Sequence, residues 1–131
     1  MSEALEFLND LFAKAKKAGA DAADGHHVVS QSLSTSMRMG KREDLERSES
    51  LDMMLRVFIG QRQACVASSD TSAQAMEELV ERAVSMAKVA PEDPYCGLAP
   101  EDRLAKKWPD LDLFDDYEYD TEALYEMAAE T

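Results

Sequence analysis

The sequence predicts an α+β fold: a mainly antiparallel four-stranded sheet with two helices packed on one face, followed by an irregular acidic C-terminal segment. Three observations predict it. Residues Leu51 to Ser69 alternate apolar and polar side chains on either side of Gly60, the pattern of a hairpin with one buried face. Segments 2–18 and 71–89 carry apolar stripes at helical spacing, able to roof that face. Beyond residue 90, prolines and carboxylates replace the periodic patterns. The expected organisation is a sheet-and-helix domain over 1–90. A proline-containing acidic connector over 91–131 then ends in the start of a further helix, leading into a C-terminal region.

In chain order, Ser2 can cap a helix to about Ala18. Leu5, Leu8, Phe12 and Ala15 follow helical spacing, and Lys14, Lys16 and Lys17 crowd the last turn, where the helix dipole favours cations. Gly19 is a natural stop. His26 to Met39 reads as a strand. His27, Val29, Leu33 and Met37 lie on one face, and Ser30, Ser32, Ser34, Ser36 and Arg38 on the other. Gly40-Lys41 is the expected turn. Arg42 to Ser50 is polar on both sides and is assigned as a separate strand between its neighbours in a meander, best placed facing solvent.

Leu51, Met53, Leu55, Val57 and Ile59 share the buried face of the next strand, with Arg56 and Phe58 opposite. Gly60-Gln61 as a type II′ turn pairs Val57 with Ala64 and Leu55 with Val66. Asp70, Thr71 and Ser72 form a cluster of N-cap residues, Thr71 with Gln74 fitting a capping box, before a helix to about Val89 whose stripe is Met76, Leu79, Val80, Ala83, Val84 and Ala87; Pro91 ends it. A short helical turn is expected over Glu101 to Lys107. Pro109 to Asp120 is an acidic, aromatic-bearing connector, and Thr121 caps an amphipathic segment with Leu124, Met127 and Ala128 on one side. That pattern is still running at Thr131, so the chain is expected to be the N-terminal piece of a longer protein.

The net charge of −13 is uneven: residues 1–91 hold 14 acidic and 11 basic side chains, residues 92–131 hold 13 and 3. This opposes a nucleic-acid backbone as partner. No apolar run approaches the ~18–20 residues of a membrane span, and the acidic start MSEALEFLND is unlike a signal peptide. Cys65 and Cys96 form no CxxC pair and read as free thiols of a reducing compartment, most simply the cytoplasm.

No motif carries chemistry on its own. His26 and His27 are adjacent on a strand and point to opposite faces, and HExxH is absent. Counted from Asp110, the acidic run puts Asp115 and Thr121 where a calcium loop needs glycine and glutamate. The serines lack a GxSxG setting, and Cys65 has no neighbouring base. Neither catalytic nor metal-binding residues are therefore assigned. The sheet face bearing Ser30, Ser32, Ser34, Ser36, Arg38, Arg56 and Phe58 is the candidate partner- or peptide-facing surface.

The segments LRVFIGQRQACVASSDTS (55–72), ELVERAVSMAKVAPEDPYCGLAPEDRLA (78–105) and PDLDLFD (109–115) resemble the N-terminal domain of the TldD/PmbA family, on the PmbA (TldE) branch. The resemblance implies a cytoplasmic subunit of a metalloprotease also known as a modulator of DNA gyrase. It implies a heterodimer with a TldD-like subunit, or a homodimer, acting in proteolysis of unfolded peptides. Zinc is expected in the TldD-type partner and no cofactor in this chain, which would be a non-catalytic scaffold of an enzyme complex. The other reading is a free-standing protein-interaction module, without enzymatic activity, that binds through its acidic tail.

Overall fold

The computed structural model describes residues 3–130. Among them are three α-helices and one three-stranded sheet of order β1-β2-β3. In chain order these are α1 (Glu3–Lys17), β1 (Ala22–Arg38), β2 (Lys41–Ile59), β3 (Arg62–Ser68), α2 (Ala73–Val89), a 3-10 turn at Glu101–Arg103 and α3 (Thr121–Ala129). The α+β class stands, but the expected four strands and two helices do not. Arg42–Ser50 and Leu51–Ile59 are one strand of 19 residues. No glycine, proline or asparagine occurs from Arg42 to Ile59, so nothing turns the chain between the two halves. The third helix is the amphipathic segment at Thr121.

The chain forms two compact units, one of Met1–Val29 and Ser50–Arg103, the other of Ser30–Glu49 and Leu104–Thr131. The core lies in the first. On β2, Met53, Leu55 and Val57 are fully buried, each two residues from the next, as alternation requires. β3 pairs antiparallel with β2 in the expected register, Leu55 with Val66 and Val57 with Ala64. The two strands are joined through Gly60-Gln61. Gly60 has φ +56 while Gln61 is not left-handed, as a type II′ turn demands. α2 packs on β3, and α1 on α2. Leu11, Ala15, Met76, Leu79, Val80, Ala83, Val84 and Ala87 complete the cluster.

Helix ends follow local chemistry. α1 closes as the Ala20 N–H bonds the Ala15 carbonyl at 3.0 Å and the Gly19 N–H bonds the Lys16 carbonyl at 3.1 Å, a Schellman arrangement. The Ser2 cap falls outside the described residues. α2 is capped by Ser72, not Thr71: its hydroxyl accepts from the Ala75 N–H at 3.3 Å. Gln74 donates to Glu78 at 3.0 Å rather than closing a capping box. Ala90, before Pro91, is extended (ψ 150), which ends the helix. The helical turn expected to Lys107 stops at Arg103.

β1 begins at Ala22, four residues before the expected His26. Gly25 lies so close to β2 that a Cβ there would strike the Met54 carbonyl oxygen. The hairpin turn between β1 and β2 is Met39-Gly40, one residue earlier than expected. Both residues are left-handed (φ 49 and 72), the type I′ geometry that matches strand twist. The two-residue connection makes β1 and β2 antiparallel.

Candidate functional site

The sheet face opposite the helical roof carries the first unit's polar cluster. Arg56 stands on β2 directly across from Cys65 of β3. Its Nε donates to Asp24 Oδ1 at 2.8 Å. A second bond from Nη2 to Asp24 Oδ2 makes the pair bidentate. The guanidinium carbon lies 5.1 Å from the Phe58 ring centroid, two residues along the strand. The hydrogen bond to Asp24 raises the Arg56 pKa further above its ordinary value, against a smaller lowering by desolvation. Arg56 is therefore a fixed cation, already satisfied by its carboxylate. Asp21 clamps the strand end nearby: its N–H bonds the Phe58 carbonyl at 2.9 Å, and its carboxylate accepts from the Gly60 N–H at 2.7 Å.

The second unit has a different anchor. Arg42 Nη1 donates to Glu122 Oε1 at 2.8 Å, and Nη2 bonds Glu122 Oε2. The same guanidinium lies 4.4 Å from the centroid of Tyr125, whose hydroxyl donates to the Asp44 carbonyl at 2.9 Å. Tyr125 is the buried residue of α3, while Leu124 and Ala128 are half-buried and Met127 is 52% exposed. The helix is capped by Asp120, whose carboxylate accepts from the Ala123 N–H at 2.8 Å; the expected cap, Thr121, is its first residue.

The seven surface residues read from the sequence fall into both units. Ser30, Ser32, Ser34 and Arg38 are exposed and Ser36 half-buried. Arg38 pairs with Glu43 at 3.2 Å across the hairpin. Arg56 is half-buried in its pair, and Phe58 is only 3% exposed, so it presents no surface. Alternation places Phe58 on the outer face correctly, but the Arg56 guanidinium lies over its ring there. The Arg42–Glu122–Tyr125 anchor was missed. Its partners are some 80 residues apart, and Arg42 looks like any other charge in a polar run.

His27 sets its ring edge against Phe7 at 5.7 Å, while neighbouring His26 is exposed. Among the described residues no three His, Cys, Asp or Glu side chains come together as a metal-holding group. Cys65 and Cys96 carry free thiols. No helix among the described residues is long and apolar enough to cross a membrane.

Fold and clusters define an α+β domain in which a long antiparallel hairpin is extended by a short third strand and backed by helices. Residues 27–87 match the family model of the PmbA/TldA metallopeptidase domain 1. The chain is 33% identical over 128 residues to a metalloprotease PmbA homolog of Haemophilus influenzae, covering 98% of this chain and 28% of that protein. It is 29% identical over 127 residues to metalloprotease PmbA of Escherichia coli O157:H7, covering 95% and 28%. Its fold matches a crystal structure from Bacteroides thetaiotaomicron described as a modulator of DNA gyrase, at TM-score 0.80 and 20% identity over 88% of this chain and 26% of that one. TldE of Thermococcus kodakarensis matches at TM-score 0.68 and 16% identity, over 79% and 23%. The chain is therefore similar to the first domain of the PmbA/TldA metallopeptidases over residues 27–87 and to the PmbA relatives over nearly its whole length. It spans about 28% of the length of the curated relatives it matches.

Proposed function

We propose that this chain is the non-catalytic N-terminal scaffold of a PmbA/TldE-like subunit in a cytoplasmic TldD-type zinc metalloprotease complex acting on unfolded peptides. The match to PmbA relatives over nearly the whole chain carries this reading. In this proposal the zinc belongs to the TldD-type partner and this chain holds no cofactor. Ser30, Ser32 and Ser34 lie on β1, an edge strand of the sheet. Such an edge can accept an extended peptide or a partner strand through main-chain hydrogen bonds. Ser36 and Arg38 would border that surface.

The test is co-purification of the polypeptide bearing this domain with a TldD-type subunit, followed by mass, zinc and peptidase measurements. A heterodimer whose zinc and turnover are lost when the TldD-type ligands are mutated fits the proposal. Failure to associate, or zinc retained on the chain described here, contradicts it. A homodimer, or an interaction module with no proteolytic partner, would replace it.

A further inference from the structure

We infer that residues 108–119 form a docking strap for a protein surface in which lysine or arginine side chains surround apolar pockets. Trp108, Leu111, Leu113, Phe114 and Tyr117 are all more than half exposed, with Leu113 at 86% and Phe114 at 83%. Isolated exposed apolar side chains are ordinary, but a run of this density marks an interaction site. The segment between Trp108 and Asp120 lies in neither helix nor strand. Two side-chain turns shape it: Asp110 Oδ1 accepts from the Asp112 N–H at 3.2 Å, and Asp115 Oδ1 from the Tyr117 N–H at 3.0 Å. Tyr117 and Tyr119 meet edge to face at 4.8 Å.

Charge selects the occupant. Asp110, Asp112, Asp115, Asp116 and Glu118 alternate with the apolar residues, and no lysine or arginine occurs from 108 to 120. An anionic membrane or a nucleic acid would be repelled, and a purely apolar groove would leave these carboxylates stripped of water and unpaired. A cationic protein surface with apolar pockets satisfies both sets of side chains. Trp108, Pro109, Asp110, Leu111, Asp112 and Leu113 line an open recess of about 480 Å³. That lining suits the aliphatic stem and cationic head of a partner's lysine or arginine.

Trp108, the only tryptophan of the chain, is a built-in reporter. The intact chain would be titrated with a synthetic peptide of lysine and leucine, and separately with an all-lysine peptide of equal charge. The expected result is a blue shift of Trp108 emission with the mixed peptide and a Kd at least about tenfold lower than for the all-lysine peptide. The double variant L113S/F114S, which keeps every charge, should lose that advantage; D112N/D115N, which keeps every apolar group, should weaken binding to both peptides. Because these side chains are exposed, neither variant should lower the melting temperature. Equal binding of the two peptides, no emission shift, or undiminished binding by L113S/F114S would overturn the inference by reducing the interaction to diffuse charge.

Discussion

The hydroxyl of Tyr125 donates to the main-chain carbonyl of Asp44 at 2.9 Å, tying α3 to β2 within the second unit. Tyr125 is also the ring under the Arg42 guanidinium, so one side chain holds the helix in two ways. Replacing it with phenylalanine keeps the ring and removes the hydrogen bond. Y125F should cost about 0.5–1.5 kcal/mol, and Y125A more, because the buried ring is lost as well. Loss of α3 helicity in Y125A, followed by amide hydrogen exchange over 121–129, checks this.

The pair beside it sets a pH dependence. Hydrogen bonding to Arg42 holds the Glu122 carboxyl below its ordinary range. A carboxylate depressed in the folded state contributes stability above its unfolded pKa and loses it as pH falls through the folded value. The α3 anchor should therefore be unchanged near neutrality and weaken only below the ordinary glutamate range. Arg42 stays charged throughout. In R42A, the Glu122 carboxyl resonance should titrate higher than in the parent; an unchanged midpoint would refute the assignment.

Arg56 and Asp24 predict an asymmetry between two truncations. D24A removes a partly exposed partner and should cost under about 1 kcal/mol. R56A also uncovers Phe58, which is 3% exposed, and should cost more, about 1–2 kcal/mol. Urea denaturation of both variants decides the order. R56K should fall between them, since an ammonium cannot repeat the two-point contact.

The core and the glycines rank in advance. L55A empties a fully buried site and should cost about 2–5 kcal/mol, whereas alanine at exposed Leu45 should stay within about 0.5 kcal/mol. G60A meets no atom and should cost about 1 kcal/mol for its left-handed backbone. G25A should cost more, because the new methyl meets the Met54 carbonyl and β1 must move off β2.

Much of the first unit was legible because two periods run cleanly through it. Alternation in β2 and β3, with one glycine between them, gave the register of Leu55 with Val66, and the Met76–Ala87 stripe gave α2. Where periodicity fails, legibility fails. Arg42 to Ser50 is polar on both faces, so its pattern could not show that it continues into Leu51 as one strand. The turn at Met39 was missed because a left-handed methionine has no sequence signal. Of the candidate surface, the exposed serines were readable from their row on β1. The Asp24–Arg56 pair and the burial of Phe58 depend on residues brought together only by strand pairing and the first unit's packing.

The decisive measurement for the proposed scaffold role is metal analysis with a peptidase assay, on this chain alone and on this chain combined with a TldD-type subunit. The 131-residue chain alone should hold no stoichiometric zinc and show no turnover, with both appearing only when the TldD-type subunit is present. One tightly held zinc per chain, or peptide cleavage by the chain alone, would contradict it.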